Sequence, residues 1–147
     1  MSRLDQQMAF LTEVDRLKSV VRATTLCAAS RFENSAEHSW HIALYALVLA
    51  EHAETQLDVT KVIKMLLLHD LVEIDAGDAP VFGAHDTEAL ELQEAQAADR
   101  IFGLLPEDQA SQFRAIWDEF EANETPEAKF AKSIDRMQPP MQNLASG

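Results

Sequence analysis

The stretch Lys64-Met65-Leu66-Leu67-Leu68-His69-Asp70 ends a very apolar run with two polar side chains. Burying such groups without partners costs on the order of 1–3 kcal/mol for a neutral group and more for a charge. His69 and Asp70 are therefore either a structural pair, satisfied by each other and by neighbours, or they bind a metal. Glu73 follows four residues after His69 and three after Asp70, on the same helical face. Asp78 closes the segment at a helix C-terminus. An acidic group there faces the negative end of the helix dipole, a mildly unfavourable placement that hints at function. Asp75 points elsewhere by helical phase and reads as solvated.

Outward from this stretch the periodicity stays helical. No segment alternates with period two in β-branched residues, so an all-α fold without a sheet is expected. The spacing predicts a first helix over about 2–21, with Leu4, Met8, Leu11, Val14, Leu17 and Val21 on one stripe. A loop carrying Thr24, Thr25, Arg31 and Glu33 follows. Asn34 or Ser35 caps a second helix that runs to about residue 54, and Asn34 with Glu37 has capping-box spacing. Asp58 or Thr60 caps a third, which stops by Gly77-Asp78-Ala79-Pro80. A fourth spans about 86–102, with Glu88, Glu91 and Glu94 as an acidic face. A fifth follows Pro106 and carries Phe113, Ile116, Trp117 and Phe120. The last opens with Thr125-Pro126-Glu127, carries Ile134, Asp135 and Met137, and is broken or restarted by Pro139-Pro140. The expectation is a bundle of about six helices, one domain over 1–147.

Composition bounds the function. The chain has 147 residues, 47% of them hydrophobic, which suffices for one sizeable core. The single cysteine, Cys27, excludes an internal disulfide and a cysteine zinc ribbon, and fits a reducing cytoplasm. The N-terminus lacks the apolar segment of a signal peptide, and the longest apolar run, 42–50, is too short to span a bilayer. A net charge of −13 repels nucleic-acid polymers and anionic membranes. It leaves room for a small phosphorylated substrate, because a metal and one or two cations reverse the field inside a cleft. Solubility alone also accounts for the charge.

Three further positions carry candidate chemistry. His38 lies in the first turn of the second helix, as a cap-region hydrogen bonder or a ligand. His41, one turn on, is a second candidate ligand or, like His52, a packing or surface residue. Asp135 edges a core-facing stripe, as a ligand or as a salt-bridge partner of Lys129, Lys132 or Arg136. No single residue is decisive. The ordered set His38, His69-Asp70 and Asp135, spread over three predicted helices, is stronger than any member.

That H…HD…D order resembles the HD-domain superfamily of metal-dependent phosphohydrolases. The segments Glu33-Asn34-Ser35-Ala36-Glu37-His38-Ser39-Trp40, His69-Asp70-Leu71-Val72-Glu73-Ile74-Asp75-Ala76-Gly77-Asp78 and Ala131-Lys132-Ser133-Ile134-Asp135-Arg136 are similar to one branch. It holds the 5′-deoxynucleotidases of the YfbR and HDDC2-like type and the oxetanocin-type hydrolases. The resemblance covers about 17–143. It implies metal-ligand roles for His38, His69, Asp70 and Asp135, a catalytic role for Glu73, and a sugar contact for Asp78. Where the family's nucleotidases carry an Arg-Trp pair before the ENxxEH segment, this chain has Arg22-Ala23. Related proteins usually continue beyond the last ligand through further helix, so the stop at Ala145-Ser146-Gly147 suggests a truncated end.

Two imidazoles and two carboxylates suit Mn, Co, Ni, Fe or Zn better than Mg or Ca. Glu73 is placed to orient water or take its proton. Arg22, Arg31 or Lys18 supplies positive charge for a phosphate. The leading expectation is a nucleoside 5′-monophosphate phosphohydrolase. The alternatives are an HD phosphohydrolase of another phosphate ester or nucleotide, and a non-catalytic acidic helical module. A homodimer is left open.

Overall fold

The computed structural model describes residues 1–77 and 87–147. Helix α1 (Arg3–Val14) starts at a reciprocal capping box between Ser2 and Asp5 and tightens into a 3-10 turn, Asp15–Ser19. It is shorter than the expected 2–21. Phe10 and Leu17 carry its burial, with Val14 packed at their edge, whereas Leu4, Met8 and Leu11 of the expected stripe are exposed. The chain turns extended at Val20, and the β-branched Val21, Thr24 and Thr25 follow.

These residues form a small sheet, which corrects the expectation of none. Strand β1 (Val21–Thr25) pairs antiparallel with β2 (Phe32–Asn34), Val21 opposite Asn34 and Thr25 opposite Phe32. The connection turns at Ala29, whose φ is 56° and whose N–H donates to the Leu26 carbonyl at 2.8 Å. Strands this short carry too little alternation to register as period two. The hairpin matters because it delivers Arg22 and Glu33.

Helix α2 (Ser35–Leu49) has the expected cap. Asn34 Oδ1 accepts from the Glu37 N–H at 2.9 Å, and Glu37 Oε1 accepts from the Asn34 N–H at 3.0 Å. Its inner face is Ser35, His38, Ser39, Ile42 and Ala46. Asp58 caps α3 (Val59–Leu68). The expected continuous helix then changes character. His69–Val72 is 3-10, followed by the single turn α4 (Glu73–Ala76), and Gly77 ends it at φ 75°. The change begins where the His69 Nδ1–H takes the Leu66 carbonyl, at 2.7 Å.

Beyond lie α5 (Thr87–Phe102), α6 (Glu107–Ala122), closed by Asn123 in the left-handed region, and α7 (Pro126–Ser146), capped by Thr125. Helix α7 runs through Pro139-Pro140 instead of breaking there. The two prolines withdraw N–H donors from the carbonyls of Asp135 and Arg136. The buried row Ala128, Ala131, Ile134, Gln138 and Gln142 holds both halves in line.

Two apolar clusters result. One joins Phe10 and Leu17 to Leu71, Val72, Ile101, Phe102 and Trp117. The other joins Ile42 and Ala46 to Val62, Met65, Leu66, Phe120 and Ile134. His69-Asp70 lies in the chain between Leu66 of one cluster and Leu71-Val72 of the other, so both cores fix its position.

Candidate metal centre

Helices α2 and α7 and the 3-10 turn after α3 converge on one point. One ligand atom each from His38, His69 and Asp135 lies within 4.8 Å of the other two. Asp135 Oδ1 is 2.7 Å from His38 Nε2 and 3.4 Å from His69 Nε2. Asp70 completes the group, with Oδ1 3.0 Å from His69 Nε2 and Oδ2 4.0 Å from His38 Nε2. His38 is fully buried, and His69 and Asp70 nearly so. Phe120 tilts against the His69 ring at a centroid distance of 5.0 Å and closes that side.

The donor set fits a divalent cation. His69 Nε2 and Asp70 Oδ2 are buried without a hydrogen-bond partner among the described residues. Buried polar atoms are rarely left so, and here they face the same cluster. Both histidines are also oriented through their other nitrogen: His69 Nδ1 by the Leu66 carbonyl and His38 Nδ1 by Gln138 Oε1 at 3.0 Å. Metal-binding imidazoles are held in this manner.

Opposite charges within the cluster shift one another's ionisation. Burial lowers the pKa of His38, but the hydrogen bond to Asp135 and the Glu33 carboxylate 3.6 Å away outweigh it and push the group up to about 9. Burial likewise opposes His69, and the charges of Asp70 and Asp135 push it up to about 9. Burial raises Asp135, yet both imidazoles hold it well below the usual carboxylate range. A histidine raised from 6.5 to about 9 adds stability that is fully present below pH 6.5 and lost as pH rises through 9. The chelator-stripped protein is therefore expected to melt several degrees lower at pH 9 than at pH 6.5. A melting temperature that is flat or rises over that interval contradicts the arrangement.

Glu73 lies one turn below Asp70. Its backbone N–H closes the 3-10 turn on the carbonyls of Asp70 and Leu71. Its Oε2 accepts from Ser35 Oγ at 2.6 Å, which ties it to the first turn of the His38 helix. Arg22 enters from β1, with Nη1 3.8 Å from Asp70 Oδ2 and Nε 3.3 Å from Glu33 Oε1. Arg31 stands apart, exposed and paired with Glu37 at 2.5 Å. Lys18 pairs with Asp15 on the surface. His41 sits in a layer behind the ligands, with Nδ1 3.1 Å from Gln142 Oε1. His52 is exposed beside Glu51. Asp78 and His85 lie outside the described residues.

Two buried residues have no role in the sequence reading. Glu33 is 2% exposed and Gln138 is fully buried. Burial raises the Glu33 carboxyl, but His38, Gln138 and Arg22 outweigh it and lower it overall. The signals for both were present: Glu33 opens the ENxxEHS segment, and Gln138 lies three residues after Asp135 on the same helix.

Comparison with known proteins bears on this geometry. The chain is 29% identical over 130 residues to 5′-deoxynucleotidase HDDC2 of Homo sapiens, covering 88% of this chain and 62% of that protein. The Mus musculus protein of the same name is also 29% identical, with 64% of its length covered. The chain thus spans somewhat under two thirds of these curated relatives. Among solved structures, a predicted metal-dependent phosphohydrolase from Magnetospirillum magnetotacticum MS-1 is 50% identical. Its TM-score is 0.90, with 99% of this chain and 72% of that one covered. The PH0347 protein of Pyrococcus horikoshii OT3 is 26% identical at a TM-score of 0.73, with coverage of 94% and 79%. A family model described as HD domain matches residues 14–147, which take in every ligand position named above. The chain therefore belongs to the HD domain family.

Proposed function

We propose that this chain is a metal-dependent phosphohydrolase that dephosphorylates nucleoside 5′-monophosphates. The observation that carries the reading is the meeting of His38, His69 and Asp135 within ligand distance, beside the buried Oδ2 of Asp70, which has no hydrogen-bond partner among the described residues. The names of the relatives, a 5′-deoxynucleotidase and a predicted metal-dependent phosphohydrolase, support it.

His38, His69, Asp70 and Asp135 hold the cation, and the mixed nitrogen and oxygen set favours Mn, Co, Ni, Fe or Zn. A cation bound there polarises the phosphoryl group and acidifies water. Glu73, held by Ser35, takes the proton of the attacking water and passes it on to the leaving alkoxide. Arg22 lies at the site among carboxylates and offers its guanidinium to the phosphate oxygens. Arg31 is exchanged from Glu37 only if the substrate reaches the surface of the hairpin. Glu94 and Glu121 have pKa values raised, first by burial and, among lesser causes, by the charge of Asp70.

Ala23 stands where the resembling nucleotidases place a tryptophan. A pocket that merely tolerates a 2′-hydroxyl discriminates poorly, by roughly 100-fold or less. The test is phosphate release from matched deoxy- and ribonucleoside 5′-monophosphates, beside 3′-monophosphates and simple phosphate esters, with each metal added in turn. Turnover of 5′-monophosphates with a kcat/KM ratio between the two sugars under about 100 is expected. Activity confined to another ester class would overturn the substrate assignment.

A further inference from the structure

Gln138 stands between a buried carboxylate and a ligand histidine, and the first dictates what it offers the second. Glu33 Oε2 lies 2.8 Å from Gln138 Nε2. An ionised carboxylate only accepts hydrogen bonds, so the NH2 end of the Gln138 amide must face Glu33. The Gln138 oxygen is thereby turned toward His38 Nδ1, 3.0 Å away. That oxygen has no proton to give, so the imidazole carries its own on Nδ1. The 2.7 Å contact between Nε2 and Asp135 Oδ1 is a hydrogen bond from Nε2–H. The neutral ring that meets a cation keeps its proton on Nδ1 and turns the Nε2 lone pair into the cluster.

The reverse amide orientation sets oxygen against oxygen at Glu33 and offers NH2 to His38 Nδ1. It drives the imidazole proton onto Nε2 and removes the donor a cation needs. The row is secured at its far end as well. Gln138 Nε2 donates to Gln142 Oε1 at 2.9 Å, and Gln142 Nε2 donates to the Thr25 carbonyl at 2.9 Å. Arg22, 3.3 Å from Glu33 Oε1, places a positive charge beside the carboxylate.

We infer that Glu33 is a positioning residue for the metal centre: by fixing the Gln138 amide it selects the Nδ1–H tautomer of His38 and presents Nε2 to a divalent cation. Glu33 touches neither cation nor substrate and acts through two other side chains. The inference rests on the metal centre proposed above.

The experiment titrates Co2+ into chelator-stripped protein, following heat and the visible absorption of the bound ion, with far-UV circular dichroism as a check on folding. In Glu33→Gln the amide at position 33 can present either end to Gln138, so the flip is no longer dictated. Co2+ affinity is expected to fall by about 10–100-fold, as for lost outer partners of ligating histidines. The double variant Glu33→Gln, Gln138→Glu exchanges the two groups. Its carboxylate at position 138 only accepts, from His38 Nδ1–H on one side and the amide at 33 on the other, while Gln142 turns its NH2 to it in place of Oε1, giving up the bond to the Thr25 carbonyl. The tautomer is again enforced, and affinity is expected to return toward that of the parent. A residue needed only for packing is not rescued by that exchange. Parental affinity in Glu33→Gln, or a double variant that folds yet binds as weakly as the single, would overturn the inference alone. A parent protein that binds no Co2+ would overturn the metal centre itself.

Discussion

Asp70→Ala and His69→Ala are each expected to abolish both metal binding and phosphate release. His69 Nε2 and Asp70 Oδ2 are the buried atoms of the cluster that lack a hydrogen-bond partner, and in the proposed centre both meet the cation. Losing an outer partner of a ligand typically costs 10–100-fold in affinity, and losing the ligand itself should exceed ~100-fold. The helical fold should persist, because Leu66, Leu71 and Val72 anchor the segment in both apolar clusters. Truncating Asp70 also leaves His69 without its nearest carboxylate at 3.0 Å, so some stability is lost as well. Asp70→Asn keeps the shape and serves as the milder control. Metal analysis of the purified variants, with circular dichroism alongside, decides the point. Full occupancy in both alanine variants would remove the assignment.

Glu73→Ala is expected to separate binding from chemistry. Glu73 caps the 3-10 turn that carries His69 and Asp70 and is braced by Ser35 Oγ, yet it lies outside the three-residue cluster. A group that accepts the proton of the attacking water contributes typically 10²–10⁴-fold. Turnover should therefore fall by about 10²–10⁴-fold while metal content and KM change little, the pattern of an interaction made only in the transition state. Steady-state kinetics at saturating metal measure the split. A near-normal kcat would refute the role.

Much of this arrangement was legible in the sequence, and the reasons are local. Asn34 with Glu37, Asp58, and Thr125 with Pro126 are caps whose chemistry acts within four residues, and each marks its helix start as expected. The polar pair at the end of an apolar run was conspicuous because burial without partners is costly. The ordered set His38, His69-Asp70 and Asp135 was readable as one pattern, although its convergence depends on packing between distant helices.

What stayed hidden is tertiary. Leu4, Met8 and Leu11 have the spacing of a buried stripe but face solvent, because Phe10 and Leu17 meet the core instead. The hairpin was missed because its strands are too short for a periodic signal, and with it the delivery of Arg22 and Glu33. Pro139-Pro140 reads as a break, but the buried Gln138 and Gln142 carry α7 past it. The same two glutamines and Glu33 are polar residues that sequence reasoning assigns to the surface. Their hydrogen bonds to one another, to His38 and to the Thr25 carbonyl, with Arg22 beside Glu33, offset the cost of burial, and the partners Glu33 and Gln138 lie 105 positions apart.

The most direct test of the account is phosphate release from a deoxynucleoside 5′-monophosphate by chelator-stripped protein, measured before and after one equivalent of Mn2+ or Co2+ per chain. The account predicts no release before addition, full release after it, and none at any metal concentration in His69→Ala. Release by the stripped protein at the same rate as the reconstituted one would contradict it.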